Sequence, residues 1–400
     1  MFKKNDNIAV FYILAAAYWF SVYTYVSVLP NHAQDLGATK SIIGLISGSY
    51  GFTQMILRMP LGILSDRLKR RRLFVGAGLV ISCISSIGLA LSTTPMQLLL
   101  FRGLAGVAVS TWVVFPSYLT ETYHLKNGHK AMGILLAITQ IGRMIATAIG
   151  GASADFFGIR WGYLTGVVAA GLGLLLFLSL PGDSYEDKTA KVPIKELLGV
   201  IRSRNLRYSS FLAILFQFTN FATVMTFTPL YARGIGMTDS SIGLMVSLFT
   251  LTGAVSAFIS GTVFKKYLGA RKTIAVAFLG SGLMVLAIPF ISTAPMLVAT
   301  QAINGFFMGV TLPLLMSQSL LGVCSEKKSS AMGYFQAIYG VGMFSGPYLT
   351  GLIAEGLGLA YGFYTVFLVC MLGAGVSMIY LYTDKMRGRM VQDEAETCQF

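Results

Sequence analysis

Pro60-Leu61-Gly62-Ile63-Leu64-Ser65-Asp66-Arg67-Leu68-Lys69-Arg70-Arg71-Arg72-Leu73 is a charge-dense knot between two apolar runs, 40–64 and 73–91. A bilayer crossing takes roughly 20 apolar residues, so each run is long enough to span and the knot becomes a tight turn at a membrane surface. Short loops rich in Lys and Arg stay in the cytoplasm, and the five cations here assign the turn to that side. Gly62 lets two helices approach closely, and Asp66 places an anion where helices end. Any helical hairpin in a membrane can carry a basic loop. The conjunction of Gly62, Asp66 and the basic run is more specific.

Composition agrees. Of 400 residues, 55% are hydrophobic and only 12% charged, about half the charge of a soluble globular chain, which makes this an all-α integral membrane protein. The formal charge of +14 would suggest a nucleic-acid partner in a soluble protein, but the cations sit in loops between apolar runs, so none is expected. Cys83, Cys324, Cys370 and Cys398 show no framework spacing, so neither a disulfide nor a metal site is expected. Lys3 and Lys4 precede the first run as in a signal peptide, but that run lacks a small-residue cleavage site and is read as a retained span.

Spanning runs fall at roughly 8–30, 39–64, 72–92, 95–121, 130–153, 159–181, 207–232, 239–264, 271–292, 295–322, 329–353 and 359–383, which predicts twelve transmembrane helices. The N-terminus and the loops after the even-numbered helices hold 24 of the 30 Lys and Arg; the opposite loops hold Lys40, Arg160 and Arg233. Both termini are therefore expected in the cytoplasm, in a plasma-membrane protein. The divisions read as 1–181, a first six-helix bundle; 182–206, a cytoplasmic linker whose stretch 194–202 suits an interfacial helix; 207–383, a second bundle; and 384–400, a polar tail.

The halves repeat. At a displacement of 199, Pro30, Gly37, Gly44 and Gly62 match Pro229, Gly236, Gly243 and Gly261. At 200, Pro95-Met96, Ala131-Met132-Gly133, Gly142, Gly151, Asp155 and Gly158 match Pro295-Met296, Ala331-Met332-Gly333, Gly342, Gly351, Glu355 and Gly358. Two six-helix parallel repeats follow, an architecture of transporters that bind at the repeat interface.

The opening stretch resembles the signature loop of the major facilitator superfamily, a Gly, an Asp-Arg pair and a basic run between the second and third helices. Gly62, Asp66, Arg67, Arg70 and Arg71 match it, while Lys69 stands where the family usually has Gly. Arg102-Gly103-Leu104-Ala105-Gly106 resembles the family's Arg-x-x-x-Gly motif in helix 4. Gly142-Arg143-Met144-Ile145-Ala146-Thr147-Ala148-Ile149-Gly150-Gly151 is similar to the helix 5 motif of its antiporters without the usual Pro; Gly342-Met343-Phe344-Ser345-Gly346-Pro347 in helix 11 keeps it. The resemblance implies the twelve-helix fold, alternating access, and a cytoplasmic conformational latch of Gly62, Asp66, Arg67, Arg70, Arg71 and Glu121. The second-half counterpart, 261–266, has Lys265 where Asp66 stands, so the latch is expected to be asymmetric.

After the loops are counted, three charges lie within spans: Arg58, Arg102 and Arg143. Charges in hydrocarbon are costly and mark functional sites. All 16 Asp and Glu lie in loops or at helix ends, so the interior is expected to be electropositive. Gln217 and Asn220, and likewise Gln301 and Asn304, are three apart and share a helix face; Tyr23 adds an aromatic group. Tyr23, Arg102, Arg143, Gln217, Asn220, Gln301 and Asn304 are the candidate substrate-binding residues. Structural bonding within helices is the plainer role for any one of them, Arg102 included. The leading expectation is a monomeric secondary transporter exporting a small organic anion or amphiphilic zwitterion. Proton-coupled multidrug efflux of neutral or cationic compounds is the runner-up, and a non-transporting sensor the next. No His/Asp/Glu cluster falls within a span and no nucleotide-binding loop appears, so neither catalysis nor a cofactor is expected, and a coupling proton stays open.

Overall fold

The computed structural model describes residues 4–68, 70–123, 128–183, 203–259, 269–323 and 328–387. The linker stretch 194–202, the loop 261–266 and the tail 388–400 lie outside the described residues, as do the side chains of Asp66 and Glu121. Twelve helical rods, α1 to α12, make up the described chain. α1 is Lys4–Tyr23 continued by Leu29–Asp35; α2 is Lys40–Leu68, α3 Arg71–Leu91. α4 runs through Pro95–Ser110, Thr111–Val114 and Phe115–Thr122; α5 is Gly128–Phe157 and α6 Ile159–Leu178. α7 runs through Arg204–Ala222, a π-helical turn at Thr223–Phe227 and Thr228–Gly234; α8 is Asp239–Ile259. α9 is Ala270–Ala287, α10 Ala294–Ser319, α11 Lys328–Leu357 and α12 Leu359–Arg387. Ten of these stretches are long and apolar enough to cross a membrane. Large apolar side chains such as Leu172, Leu175 and Leu178 point outward from the bundle, as lipid contact requires.

The internal repeat is visible in the backbone. The first segments of α1 and α7 end at Tyr23 and Ala222, and each resumes six residues later with a proline in the first helical positions. A proline there gives up only an N–H that has no helical partner. Each rod then closes on a glycine in the left-handed region, Gly37 at φ 83° and Gly236 at φ 87°. Gly158 at φ 96° and Gly358 at φ 103° do the same between α5 and α6 and between α11 and α12.

The halves meet along two helix pairs, α2 with α11 and α5 with α8, and these pairs are equivalents of one another under the repeat. At Gly44 an added Cβ would collide with the backbone of Pro347, and at Gly351 with the carbonyl of Lys40. The counterparts behave alike: Gly243 abuts the Thr147 carbonyl and Gly151, and Gly151 abuts the carbonyl of Asp239. Lipid tails are as apolar as the helices, so such contacts rest on close backbone approach rather than on hydrophobic burial. Gly62 is different: a Cβ there would meet only the Val113 methyls at 3.8 Å, so in this conformation its lack of a side chain is not what brings helices together.

These contacts concentrate at the end of the bundle opposite the basic loops, here called the acidic end. There Arg233 pairs with Asp35 at 2.8 Å, Asn31 donates to Asp239 at 3.4 Å, Lys40 donates to the Ala354 carbonyl at 3.1 Å, and the Ser41 amide donates to Glu355 at 3.0 Å. Every one of these bonds joins the first half to the second. Among the described residues, no cross-half hydrogen bond lies nearer the basic end than that of Arg58, although α2 continues to Leu68. The structure is thus closed at the acidic end.

Overpacking such a contact costs about 1–3 kcal/mol, a factor of roughly 5–100 in an equilibrium. Gly243→Leu is therefore expected to open the acidic end. The check is the rate at which a membrane-impermeant maleimide labels a cysteine placed at buried Asn31 in a cysteine-free background, which should rise roughly tenfold; an unchanged rate would refute the role of the glycine contact.

Candidate functional site

Arg102 is placed by the start of α4. Thr94 and Gln97 form a reciprocal capping box, the Thr94 hydroxyl accepting from the Gln97 amide at 3.4 Å and the Gln97 side chain accepting from the Thr94 amide at 3.2 Å. Pro95 occupies the first helical turn. Arg102 follows two turns later, about 10 Å into the membrane at 1.5 Å per residue, and is 4% exposed. Its guanidinium carbon lies 4.1 Å from the ring centre of Tyr50 on α2 and 5.5 Å from that of Tyr25 at the break in α1. Its Nε and Nη1 are buried without a hydrogen-bond partner, as is the Tyr25 hydroxyl.

Arg143 is placed by glycines. An added Cβ at Gly142 would meet the Ala16 carbonyl at 2.9 Å and one at Gly150 would collide with Thr24, so α5 presses directly on α1. That approach lays the Arg143 guanidinium over Trp19, 3.5 Å from the ring centre, and 4.8 Å from that of Tyr23. Its Nη1 donates to the Gln140 side chain at 3.0 Å, while its Nε and the Trp19 indole N–H are buried without partners. Tyr50 joins the two arginines: its phenol lies within electrostatic range of Arg58, Arg102 and Arg143, and its ring stacks at 6.0 Å on Phe221 of α7, across the halves.

Arg58 is buried and makes three hydrogen bonds. It donates to the Gln54 side chain on its own helix and, on α11, to the Tyr339 hydroxyl and to Gln336 at 3.4 Å. None of Arg58, Arg102 and Arg143 lies within ion-pair distance of a carboxylate among the described residues. The ring faces attract each guanidinium by about 0.5–2 kcal/mol without neutralising it.

The remaining sequence candidates divide. On α7, Gln217 is buried with its Oε1 unpartnered, and Asn220 is half-buried one turn on, beside Phe221. On α10, Gln301 and Asn304 are fully buried and turned into their own half: Asn304 accepts from Ser281 of α9 at 2.7 Å and donates to Gln301 at 3.5 Å. Tyr23 and Arg143 come together; Arg102 joins them through Tyr25 and Tyr50. At the basic end Arg67 and Arg70 are exposed and Arg71 is half-buried. Sequence reasoning named Trp19 as a cavity aromatic without pairing it with Arg143, and passed over Tyr50 and the cross-half bonds of Arg58. Tyr50 on α2 and Arg102 on α4 lie at similar depths, about 15 and 10 Å from helix starts at the same end, and that was the available signal.

Two equivalent six-helix halves meeting along paired helices have the architecture of a membrane transporter. The sequence pattern of the Major Facilitator Superfamily matches residues 11–238 and 210–396, so the chain belongs to that family and is a transport protein rather than an enzyme. It is 25% identical over 377 residues to an uncharacterized MFS-type transporter of Methanocaldococcus jannaschii, covering 92% of this chain and 96% of that one. It is 24% identical over 375 residues to the multidrug resistance protein MdtG of Citrobacter koseri (90% of each) and 23% over 358 to the quinolone resistance protein NorA of Staphylococcus aureus (88% and 90%). Among solved structures, a bacterial homologue of the human lysosomal transporter Spinster superposes with TM-score 0.78 at 15% identity (95% and 97% covered), and the nucleoside transporter NupG with 0.73 at 16% (97% and 100%). These likenesses concern the fold.

Arg58 and Tyr339 should couple across the halves. A hydrogen bond to a charged group contributes about 1.5–3 kcal/mol. A double-mutant cycle of Arg58→Met and Tyr339→Phe, followed by denaturant unfolding in micelles, should show an interaction energy of about that size; strictly additive effects would contradict the contact.

Proposed function

We propose that the chain exports a small organic anion or amphiphilic zwitterion by alternating access, as a monomer. The halves 1–181 and 207–383 rock about a site formed by Tyr23, Arg102, Arg143, Gln217 and Asn220, with the segment 182–206 joining them on the cytoplasmic side. The observation that carries this reading is the set of three guanidiniums within the spans with no carboxylate beside them among the described residues. A permanent cationic cluster in a low dielectric attracts an anion and repels a lipophilic cation. The basic loops face the cytoplasm of a plasma-membrane protein in this reading, so closure at the acidic end is an inward-facing state. Asp66, Arg67, Arg70, Arg71 and Glu121, with Gly62, pin the cytoplasmic helix ends in the opposite state. Gln301 and Asn304 support the second half from within its packing. The small-residue stretch from Gly142 to Gly151, similar to the antiporter motif, supports export.

Multidrug efflux is a second reading, favoured by the names of the MdtG and NorA relatives and by the aromatic faces around both arginines.

The test is thermal stabilisation of purified protein by panels of organic anions, cations and neutral amphiphiles. Anions are expected to stabilise the parent protein, and Arg102→Gln to weaken their binding by roughly 10–100-fold, the loss of one charge-assisted contact. Arg102→Lys, which keeps the charge, should retain part of it. Stabilisation by lipophilic cations, equal in parent and variant, would select the multidrug reading.

A further inference from the structure

We infer that the anion is doubly charged, carrying a compact dianionic oxyanion head of the phosphate-monoester or dicarboxylate type; this rests on the anion reading proposed above. The argument is a count of charges and of donors. Arg58 lends its field to the cluster but donates to Gln54, Gln336 and Tyr339, and none of its buried nitrogens is left without a partner. Arg102 and Arg143 remain, each with N–H groups that no described residue satisfies. One negative charge balances one of these two guanidiniums and leaves the other uncompensated in the membrane interior; two balance both.

The unsatisfied groups are one-sided. Arg102 Nε and Nη1, Arg143 Nε and Trp19 Nε1 are obligate donors, the Tyr25 hydroxyl can donate, and on the α7 side Gln217 Oε1 is the buried acceptor. A ligand that completes this set brings several acceptor oxygens. The neighbours of these guanidiniums are mostly aromatic rings: Tyr50 and Tyr25 lie 4.1 and 5.5 Å from the Arg102 guanidinium carbon, and Trp19 and Tyr23 lie 3.5 and 4.8 Å from that of Arg143. Guanidinium edges bind carboxylate and phosphate in two-pronged fashion. Tyr23 and Arg143 are half-buried and form the accessible rim, with Arg102 deeper.

The experiment uses the full chain in nanodiscs and four probes on one ring scaffold: benzoate, phthalate, phenyl phosphate and trimethylanilinium, with affinities measured by calorimetry at pH 7.5. The dianions phthalate and phenyl phosphate are expected to bind at least ~10-fold more tightly than benzoate, the worth of one further charge-assisted bond. Lowering the pH to 5, below the second phosphate pKa of about 6, should weaken phenyl phosphate by roughly tenfold relative to benzoate. Arg143→Gln should reduce the preference for the dianions over benzoate to about twofold; Arg143→Lys should restore part of it. Equal binding of benzoate and the dianions would overturn this inference and leave the anion reading standing. Binding of trimethylanilinium alone would overturn both, and failure of both dianions to bind would overturn this one whatever else binds.

Discussion

The contact on which the structure depends is the approach of bare backbone to bare backbone where the halves meet at the acidic end. Gly44 against Pro347 and Gly351 against Lys40 on one side are matched by Gly243 against Thr147 and Gly151 against Asp239 on the other. Further in, a Cβ added at Gly48 would meet the Phe344 carbonyl at 2.8 Å, and at the equivalent place Ser247 donates to the Met144 carbonyl at 2.8 Å. Helices in lipid gain little by burying apolar side chains against one another, so shape at short range decides which pairs associate. A smooth glycine surface gives up its contacts as readily as it makes them. That suits an interface that has to part when the bundle opens, and it leaves direction and strength to the polar bonds at its rim.

The same device builds the site. Gly142 and Gly150 draw α5 onto α1, and that approach is what brings Arg143 over Trp19. On the other side Tyr50, a residue of the interface helix α2, carries both Arg102 and the ring of Phe221. Helix packing, half-to-half contact and the cationic cluster thus share side chains. A displacement of α2 relative to α7 separates Tyr50 from Phe221 and changes the surroundings of Arg102 at once, which couples occupancy of the cluster to the position of the halves.

Much of the fold was legible because it is written in features that lipid enforces. Spanning length, basic loops, prolines at helix starts and glycines at turns follow from hydrogen bonding and sterics that act locally, and they repeated at a displacement of 199 or 200. Gly44, Gly151, Gly243 and Gly351 were visible as repeated positions, yet their partners were not, since nothing local says which helix a glycine faces. The arginines stood out because charge within a span is rare. Their pairing did not: Trp19 and Tyr25 stood among the aromatics of a possible cavity and Tyr50 did not stand out, and only the packing of α1, α2, α4 and α5 brings all three to the guanidiniums. Gln301 and Asn304 show the converse, a shared face read correctly in spacing and turned into the packing of α9 and α10.

The repeat that shapes the scaffold does not extend to its chemistry. At the positions equivalent to Arg58, Arg102 and Arg143 the second half carries Ala257, Ala302 and Met343, and opposite Trp19, Tyr25 and Tyr50 it carries Phe218, Val224 and Phe249. Polar groups run the other way: Gln217 and Asn220 stand where the first half has Tyr18 and Ser21. Duplicated backbone contacts are retained in both halves because each closes the same kind of joint. Charges need not be, since a second set of guanidiniums would add repulsion and desolvation cost in the same low-dielectric space without a carboxylate to offset either. In the alternating-access reading proposed above, a symmetric frame with a one-sided cluster holds its charge in one half while the other moves past it, and the rings and amides of α7 supply neutral contact on the moving side.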